Sequence, residues 1–468
     1  MLTETDIASL VADIHLGKLD PHDLISECYT NIRQHNHTLN ALITTIPEEE
    51  VHQSIDQLPA THLPLKGIPF VLKDSYLTKG ILTTSASYVL GDYIPQYNAT
   101  VYQKLLNAGA ILIGKANMDA WGHGASTENT DYGPTHNPFD SARVAGGSSG
   151  GPAVAIATRM CLFAIGEDTG GSIRNPSAWN NITGLKVSYG RVSRYGCIAY
   201  ASSFDTVGPM AKSATDVAYI MEYIAGIDKY DATSSPNPIP SYTNELNNTP
   251  TLTIGIPKEV LHQSLNVEIK TNLQQTSEAL KKLGHKIVQV SIPMLEYGLA
   301  IYYLIGPSET SSNLARYDGI RYGQDRSHFT SETMRRIMTG TYALSTGYYD
   351  AYYRKAQKGR TLLINQYAQA FREVDVLLMP INPTIPNKFG ELINDPIANM
   401  LADIFTITQN IVGIPSVAFP SGFSQEHLPI GCQLTGPAFQ ESLILSLAHQ
   451  YQQATSWHLQ KPPLSINN

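Results

Sequence analysis

Near the start of the chain Ile7, Leu10, Val11 and Ile14 recur at i, i+3, i+4 and i+7, the stripe of an amphipathic helix. A second helix is expected to open at Asp20-Pro21, with Asp20 as N-cap and proline at the first helical position. Its apolar side is Leu24, Ile25, Cys28 and Ile32. The two helices read as a docking face or an outer layer on a core that begins further on. From residue 63 the pattern changes to short apolar runs broken by glycine. Ile68 to Leu72 predicts a buried strand ending at Lys73-Asp74, and Ala110 to Lys115 predicts another. Between residues 122 and 208 glycine is dense and serine and threonine cluster around it, which marks backbone built for close approach.

The stretch 231–250 carries prolines at 236, 238, 240 and 250 and reads as a connecting loop. Beyond it the expected order is a strand at Thr253 to Ile256 and a helix carrying Ile269, Leu273, Leu280 and Leu283. That helix stops at Gly284, and a returning strand from Ile287 to Ile292 completes a βαβ unit. Residues 300–370 read as helical and tyrosine-rich, and strands resume at Val374 to Leu378, Ser416 to Phe419 and Ile430 to Leu434. There is no internal repeat. Because strands return after the loop, both halves are expected to share one sheet. The fold class is therefore α/β, a single large domain with a mixed central sheet covered by helices on both faces. Its parts are N-terminal helices (1–60), a first half (63–230), the loop, and a second half (251–468).

Composition bounds the function. Apolar residues make up 42% of the chain and charged residues 15%, enough to build a large core and to exclude disorder as the main state. The net charge of −8 argues against this chain wrapping nucleic acid by itself. Four dispersed cysteines form no CxxC or Cys/His cluster, so no metal site is expected and a reduced compartment is. No apolar run is long enough to span a membrane, and the chain reads as soluble and cytoplasmic.

The candidate chemistry lies in two segments, Gly146-Gly147-Ser148-Ser149-Gly150-Gly151 and Asp168-Thr169-Gly170-Gly171-Ser172-Ile173-Arg174. Alone, each is ambiguous. Gly147 to Gly151 fits G-x-S-x-G with Ser149 as nucleophile, and Asp168-Thr169-Gly170 fits an aspartic-protease triplet of which there is no second copy. No Walker A motif is present, and Gly122-His123-Gly124 lacks the third glycine of a dinucleotide loop.

Taken with a lysine at a strand end, the two segments resemble the amidase-signature family of Ser-Ser-Lys amide hydrolases. The spacings agree: 75 residues from Lys73 to Ser148 and 24 from Ser148 to Ser172. The resemblance implies that Ser172 is the acyl-forming nucleophile and that Ser148, after a cis peptide bond, relays the proton. It implies further that Lys73 is the base and that amides around Thr169, Gly170, Gly171 and Ser172 form the oxyanion hole, with Ser149, Asp168 and Arg174 in support. The chemistry is coherent. A serine hydroxyl needs a base within hydrogen-bond reach, and a lysine serves only if burial makes it neutral near pH 7.

Longer strings narrow the resemblance: Tyr189 to Gly196, Ala201 to Asp205, Ser311 to Gly319 and Gly347 to Tyr353. They are similar to the glutamine-hydrolysing subunits of tRNA-dependent amidotransferases, over about residues 5 to 456. That likeness implies a heterotrimer: a kinase-transferase B subunit and a small C subunit join the glutaminase, with ammonia channelled between them. ATP and Mg²⁺ would sit on the B subunit, which would also carry the misacylated Glu-tRNA(Gln) or Asp-tRNA(Asn), leaving no cofactor in this chain. It also assigns Arg336 to the α-carboxylate of glutamine and Asp403 to its α-ammonium, with Tyr302, Tyr303 and Ser126 around the ligand.

The chain departs from the family pattern at Ala120-Trp121-Gly122-His123, at Glu167 where serine is usual, and at Val187-Ser188. The first bears on side-chain packing at the glutamine pocket, and none is expected to touch Lys73, Ser148 or Ser172. A stand-alone amidase acting on a small amide and a non-catalytic scaffold are the competing functions.

Overall fold

The structure is a computed structural model that describes residues 4–59, 61–262, 265–320, 324–392 and 395–464. Its strands are β1 (Leu42–Thr45), β2 (Pro69–Lys73), β3 (Ile111–Ala116), β4 (His136–Asn137), β5 (Asp140–Val144), β6 (Phe163–Asp168) and β7 (Thr183–Lys186). They continue with β8 (Thr206–Ala211), β9 (Thr253–Pro257), β10 (Lys286–Val290), β11 (Val376–Pro380), β12 (Ser416–Phe423) and β13 (Pro429–Thr435). All except the β4–β5 pair join one 11-stranded sheet in the order β1-β3-β2-β6-β8-β7-β12-β13-β11-β9-β10. β2 runs parallel to β3 and β6, and β9 runs parallel to β10 and β11. The remaining neighbours are antiparallel, so the sheet is mixed.

The two halves of the chain meet where β12 pairs with β7, Val417 opposite Leu185. The proline-rich stretch at 231–250 is therefore a connection within one sheet, and it carries a short helix, Tyr242–Glu245. The first two helices form as the apolar periodicity predicts, at Ile7–His15 and Pro21–Leu39, with Asp20 accepting the His22 amide as N-cap. Ile7, Leu10, Val11 and Ile14 are buried in the same cluster as Val101, Val217, Leu280 and Ile444, on one face of the sheet. Ile25, Cys28, Ile32, Val154 and Ile156 pack in the cluster on the other. Helices thus cover both faces, and the N-terminal pair is an outer layer.

Several elements differ from the sequence reading. The 374–378 strand begins two residues later, because Asp375 turns its carboxylate to accept the Thr253 amide at 2.7 Å. The glycine-dense region, read as close-approach backbone, also holds three central strands, β6 to β8. Gly208 in β8 shows why: a Cβ there would lie 2.0 Å from the Leu185 carbonyl oxygen of the neighbouring strand. Among the described residues the tyrosine-rich span resolves into three α-helices, Gly298–Asn313, Ser331–Leu344 and Tyr353–Ala370, with short 3-10 turns at Leu314–Arg316 and Arg326–His328.

Candidate active site

Lys73 ends β2, and Glu167-Asp168 end its parallel neighbour β6, in register with Leu72 beside Ile165. Residues at the carboxyl ends of such strands project into a common crevice. Two helices, Gly150–Ala157 and Arg174–Trp179, start beside that edge, each preceded by a glycine-rich turn carrying a serine. Ser148 and Ser172 therefore arrive from different loops at one place. The two loops are joined where the Ser149 amide donates to the Ser172 carbonyl oxygen at 3.1 Å.

Lys73 Nζ donates to Ser148 Oγ at 2.7 Å and to the Glu167 carbonyl oxygen at 3.3 Å. Lys73 is 0% exposed, Ser148 1% and Ser172 8%, so of the three Ser172 lies nearest the open side. Burial pushes the Lys73 ammonium below its usual range, against the pull of Glu167, Cys197, Asp119 and Asp168 toward the charged form. The Gly147–Ser148 peptide is cis, as the resemblance implies.

The Ser172 loop is closed by Asp168. Its oxygens accept the amides of Gly171 (2.8 Å) and Ile173 (3.1 Å) and the Arg174 guanidinium (3.0 and 3.1 Å). Arg174 is itself fully buried and also donates to Gln409, Gln433, Asn410 and the Thr406 carbonyl oxygen. Because the Gly171 amide is engaged by Asp168, the amides of Thr169, Gly170 and Ser172 are the better candidates for an oxyanion hole. Both glycines are required by packing. A Cβ at Gly170 would come within 2.5 Å of the Tyr302 hydroxyl. At Gly171, where φ is +132°, it would come within 2.3 Å of Thr406 Oγ1.

Of the residues the resemblance assigns to the ligand, Arg336 is buried on the helix Ser331–Leu344, where its Nε donates to Glu332 at 2.7 Å and its Nη1 to the Tyr200 hydroxyl. Its guanidinium lies over the Tyr303 ring, 5.2 Å from the centroid. Asp403 precedes Thr406, whose hydroxyl donates to the Asp403 carbonyl oxygen and, at 2.6 Å, to that of Gly170. Burial raises the Asp403 carboxyl to about 7, with Arg336 acting in the opposite sense. Ser126 lies on a cavity of about 420 Å³ whose wall also includes Asp119, His123, Glu332, Arg335 and Ala402. The cavity therefore reaches the neighbours of both Arg336 and Asp403.

The departure at 120–123 is buried, with Trp121 at a φ of +61° and its indole nitrogen without a hydrogen-bond partner. Trp121 is buried against Tyr317 and Phe329, and His123 donates or accepts between Thr310 and Thr333. Glu167 overturns the expectation that no departure touches the candidate triad: its Oε2 is 3.7 Å from Lys73 Nζ. The reason is the parallel pairing of β2 and β6, which sets Leu72 beside Ile165 and so brings Glu167 next to the end of β2. Tyr200, Thr406 and the polar partners of Arg174 from the second half, Gln409, Asn410 and Gln433, were not anticipated. The available signal was the polar run Thr408-Gln409-Asn410, buried between Ile407 and Ile411 in the helix Ile407–Val412.

A buried lysine bonded to one serine thus lies beside a glycine loop that presents a second. The family model for amidases matches residues 23–445, and the chain belongs to that family. More particularly, it is 43% identical to the A subunit of glutamyl-tRNA(Gln) amidotransferase from Thermodesulfovibrio yellowstonii, over 99% of this chain and 100% of that one. It is 44% identical to the protein of the same name from Coxiella burnetii, over 98% of this chain and 99% of the other. The crystal structure of the corresponding Thermotoga maritima A subunit superposes with a TM-score of 0.83 at 34% identity, covering 97% of this chain and 96% of that one.

Proposed function

We propose that the chain is the glutamine-hydrolysing subunit of a tRNA-dependent amidotransferase. The observation that carries the chemistry is the 2.7 Å bond from Lys73 Nζ to Ser148 Oγ, buried one loop away from Ser172. The near-full-length likeness to the A subunits supports the choice of glutamine as substrate and of a partner as ammonia acceptor.

In this reading neutral Lys73 takes the proton of Ser148, and Ser148 takes that of Ser172. Ser172 Oγ then attacks the side-chain carbonyl of glutamine. The oxyanion that forms is held by the amides of Thr169, Gly170 and Ser172. As the C–N bond breaks, the proton returns through Ser148 to the leaving nitrogen, and ammonia departs. Water, activated by the same pair, releases glutamate from the acyl-enzyme. Arg336 and Asp403 supply one fixed cation and one fixed anion, the complement of a free amino acid. The partner would hold ATP, Mg²⁺ and the misacylated tRNA, with a small third subunit, and this acidic chain would contribute none of these.

The test is ammonia release from glutamine by the purified chain, with and without partner subunits, ATP and misacylated tRNA. Glutamine-dependent release that rises when the partners are added is expected. Equal or better turnover of a small amide by the chain alone would favour the stand-alone amidase.

A further inference from the structure

Glu167 is a buried carboxylate that the reaction scheme above leaves without a task. It is 2% exposed, and its Oε2 lies 3.7 Å from the Nζ of Lys73, which is wholly buried. Its other oxygen, Oε1, is buried with no hydrogen-bond partner. An ionised carboxylate so placed is costly unless something compensates it. Lys73 when charged does so, and Ser75 and the Cys197 thiol also favour the charged carboxylate. Glu167 lines a small cavity of about 150 Å³ together with Arg194, Cys197 and Asp205.

The charged and titratable groups around the pair leave Glu167 as the counter-charge placed on Nζ. Asp168 is taken up by Arg174, with two contacts of 3.0 and 3.1 Å. Asp119 accepts the amides of Thr127 and Asn129, and burial raises its carboxyl to about 7. Asp205 accepts the Thr169 hydroxyl at 2.7 Å, and burial raises its carboxyl as well. Arg194 faces Asp231 at 4.0 Å. Tyr76 donates its hydroxyl to the Gly166 carbonyl oxygen, and burial holds Cys197 as a neutral thiol.

We propose that Glu167 is the counter-ion of Lys73: it holds the ammonium that forms when Lys73 takes the proton of Ser148, and so sets the pH range over which Lys73 works as a base. The inference rests on the reading of Lys73 as that base. The proton balance is simple. Ser148 loses its hydroxyl proton to Nζ as it receives that of Ser172, Nζ becomes an ammonium facing a carboxylate, and the proton leaves again on the departing ammonia. Burial pushes the Glu167 carboxyl up as well, while Lys73, Ser75 and Cys197 favour its charged form; it is ionised when Nζ carries the ammonium. It acts through Lys73, as a positioning residue. Burial alone would drive Lys73 toward so low a proton affinity that it could no longer draw a proton from serine. An opposite charge within about 4–6 Å restores about 1–3 pH units of that affinity.

The sign of the effect follows. Glu167→Gln removes the charge and keeps the shape, so the ammonium on Lys73 is less stable and the neutral base persists to lower pH. The acid limb of kcat/KM for glutamine hydrolysis should move down by about 1–3 units, and plateau turnover should fall on the order of tenfold or more. Glu167→Asp, with its carboxylate drawn back, should move the limb down by less. It also serves as the measured variant if the Gln protein does not fold. A limb that superposes on that of the unaltered chain, or one that moves up, overturns the inference whatever happens to turnover, since a structural role would lower activity without moving the limb. Lys73→Ala is assayed alongside. If it stays active, the reading of Lys73 itself has failed; if it is inactive and the Glu167 limb is unmoved, only the counter-ion role has.

Discussion

Asp168 grips the guanidinium of Arg174 with both carboxylate oxygens, Oδ1 on Nη2 at 3.0 Å and Oδ2 on Nε at 3.1 Å, with both side chains fully buried. The same oxygens take the Gly171 and Ile173 amides, so this ion pair fixes the backbone on either side of Ser172. Burial alone would raise the Asp168 carboxyl, but Arg174 overrides it and holds it at about 2. A group depressed below its unfolded value of about 3.9 adds stability that is full above that pH and lost as pH falls through the folded value. The pair should therefore contribute to the loss of stability between about pH 4 and 2. Asp168→Asn strands a buried cation and should cost about 3–5 kcal/mol in denaturant unfolding at neutral pH. It should also flatten the acid-side slope; an unchanged slope would remove the ion pair from the account.

The base must be neutral to act. Lys73→Arg keeps a cation at the end of β2 but cannot lose its proton, so it should be as inactive in glutamine hydrolysis as Lys73→Ala. The pair is compared by initial rates of ammonia release. An arginine variant with near-normal turnover would end the neutral-lysine mechanism.

Ser148 and Ser149 are adjacent but differently engaged: Lys73 donates to the first, while the second donates its hydroxyl to the Glu167 carbonyl oxygen at 3.3 Å. Ser148→Ala should therefore approach the loss seen on removing a member of a catalytic unit, about 10⁴–10⁶ in kcat, and Ser149→Ala should cost much less. The reverse order in single-turnover assays would reassign the relay.

Burial raises the Asp403 carboxyl to about 7, and a bound ammonium would favour its ionised form. Glutamine binding then requires a proton to leave below that pH, and KM should rise by about tenfold per unit as pH falls beneath about 7. Asp403→Asn should have a raised KM that no longer varies with pH, and Arg336→Ala should weaken binding by about 2–4 kcal/mol. KM profiles that run parallel in all three proteins would place both residues outside the ligand site.

Local periodicity carried much of the fold. The apolar spacing at 7–14, the Asp20-Pro21 start, the run at 68–72 and the βαβ unit around Gly284 all form close to where the pattern puts them. The strands β6, β7 and β8 were hidden because each contains glycine and because their signal is tertiary. Gly208 is defined by the Leu185 carbonyl opposite it, which no local window contains. The site divides in the same way. Lys73, Ser148 and Ser172 were singled out through the family resemblance, and the structure brings the first two into hydrogen-bond contact. Glu167 reaches Lys73 only through the parallel pairing of β2 and β6, and Tyr200 reaches Arg336 only through packing of the helix Ser331–Leu344.

The most direct measurement compares the two nitrogen donors. In the complex reconstituted with its partner subunits, amidated tRNA is quantified for Ser172→Ala with glutamine and, separately, with ammonium chloride. If Ser172 is the nucleophile that frees ammonia for transfer, the glutamine-dependent product is lost and the ammonium-dependent product stays near that of the unaltered complex. Retention of the glutamine-dependent product, or loss of both together, would contradict the account.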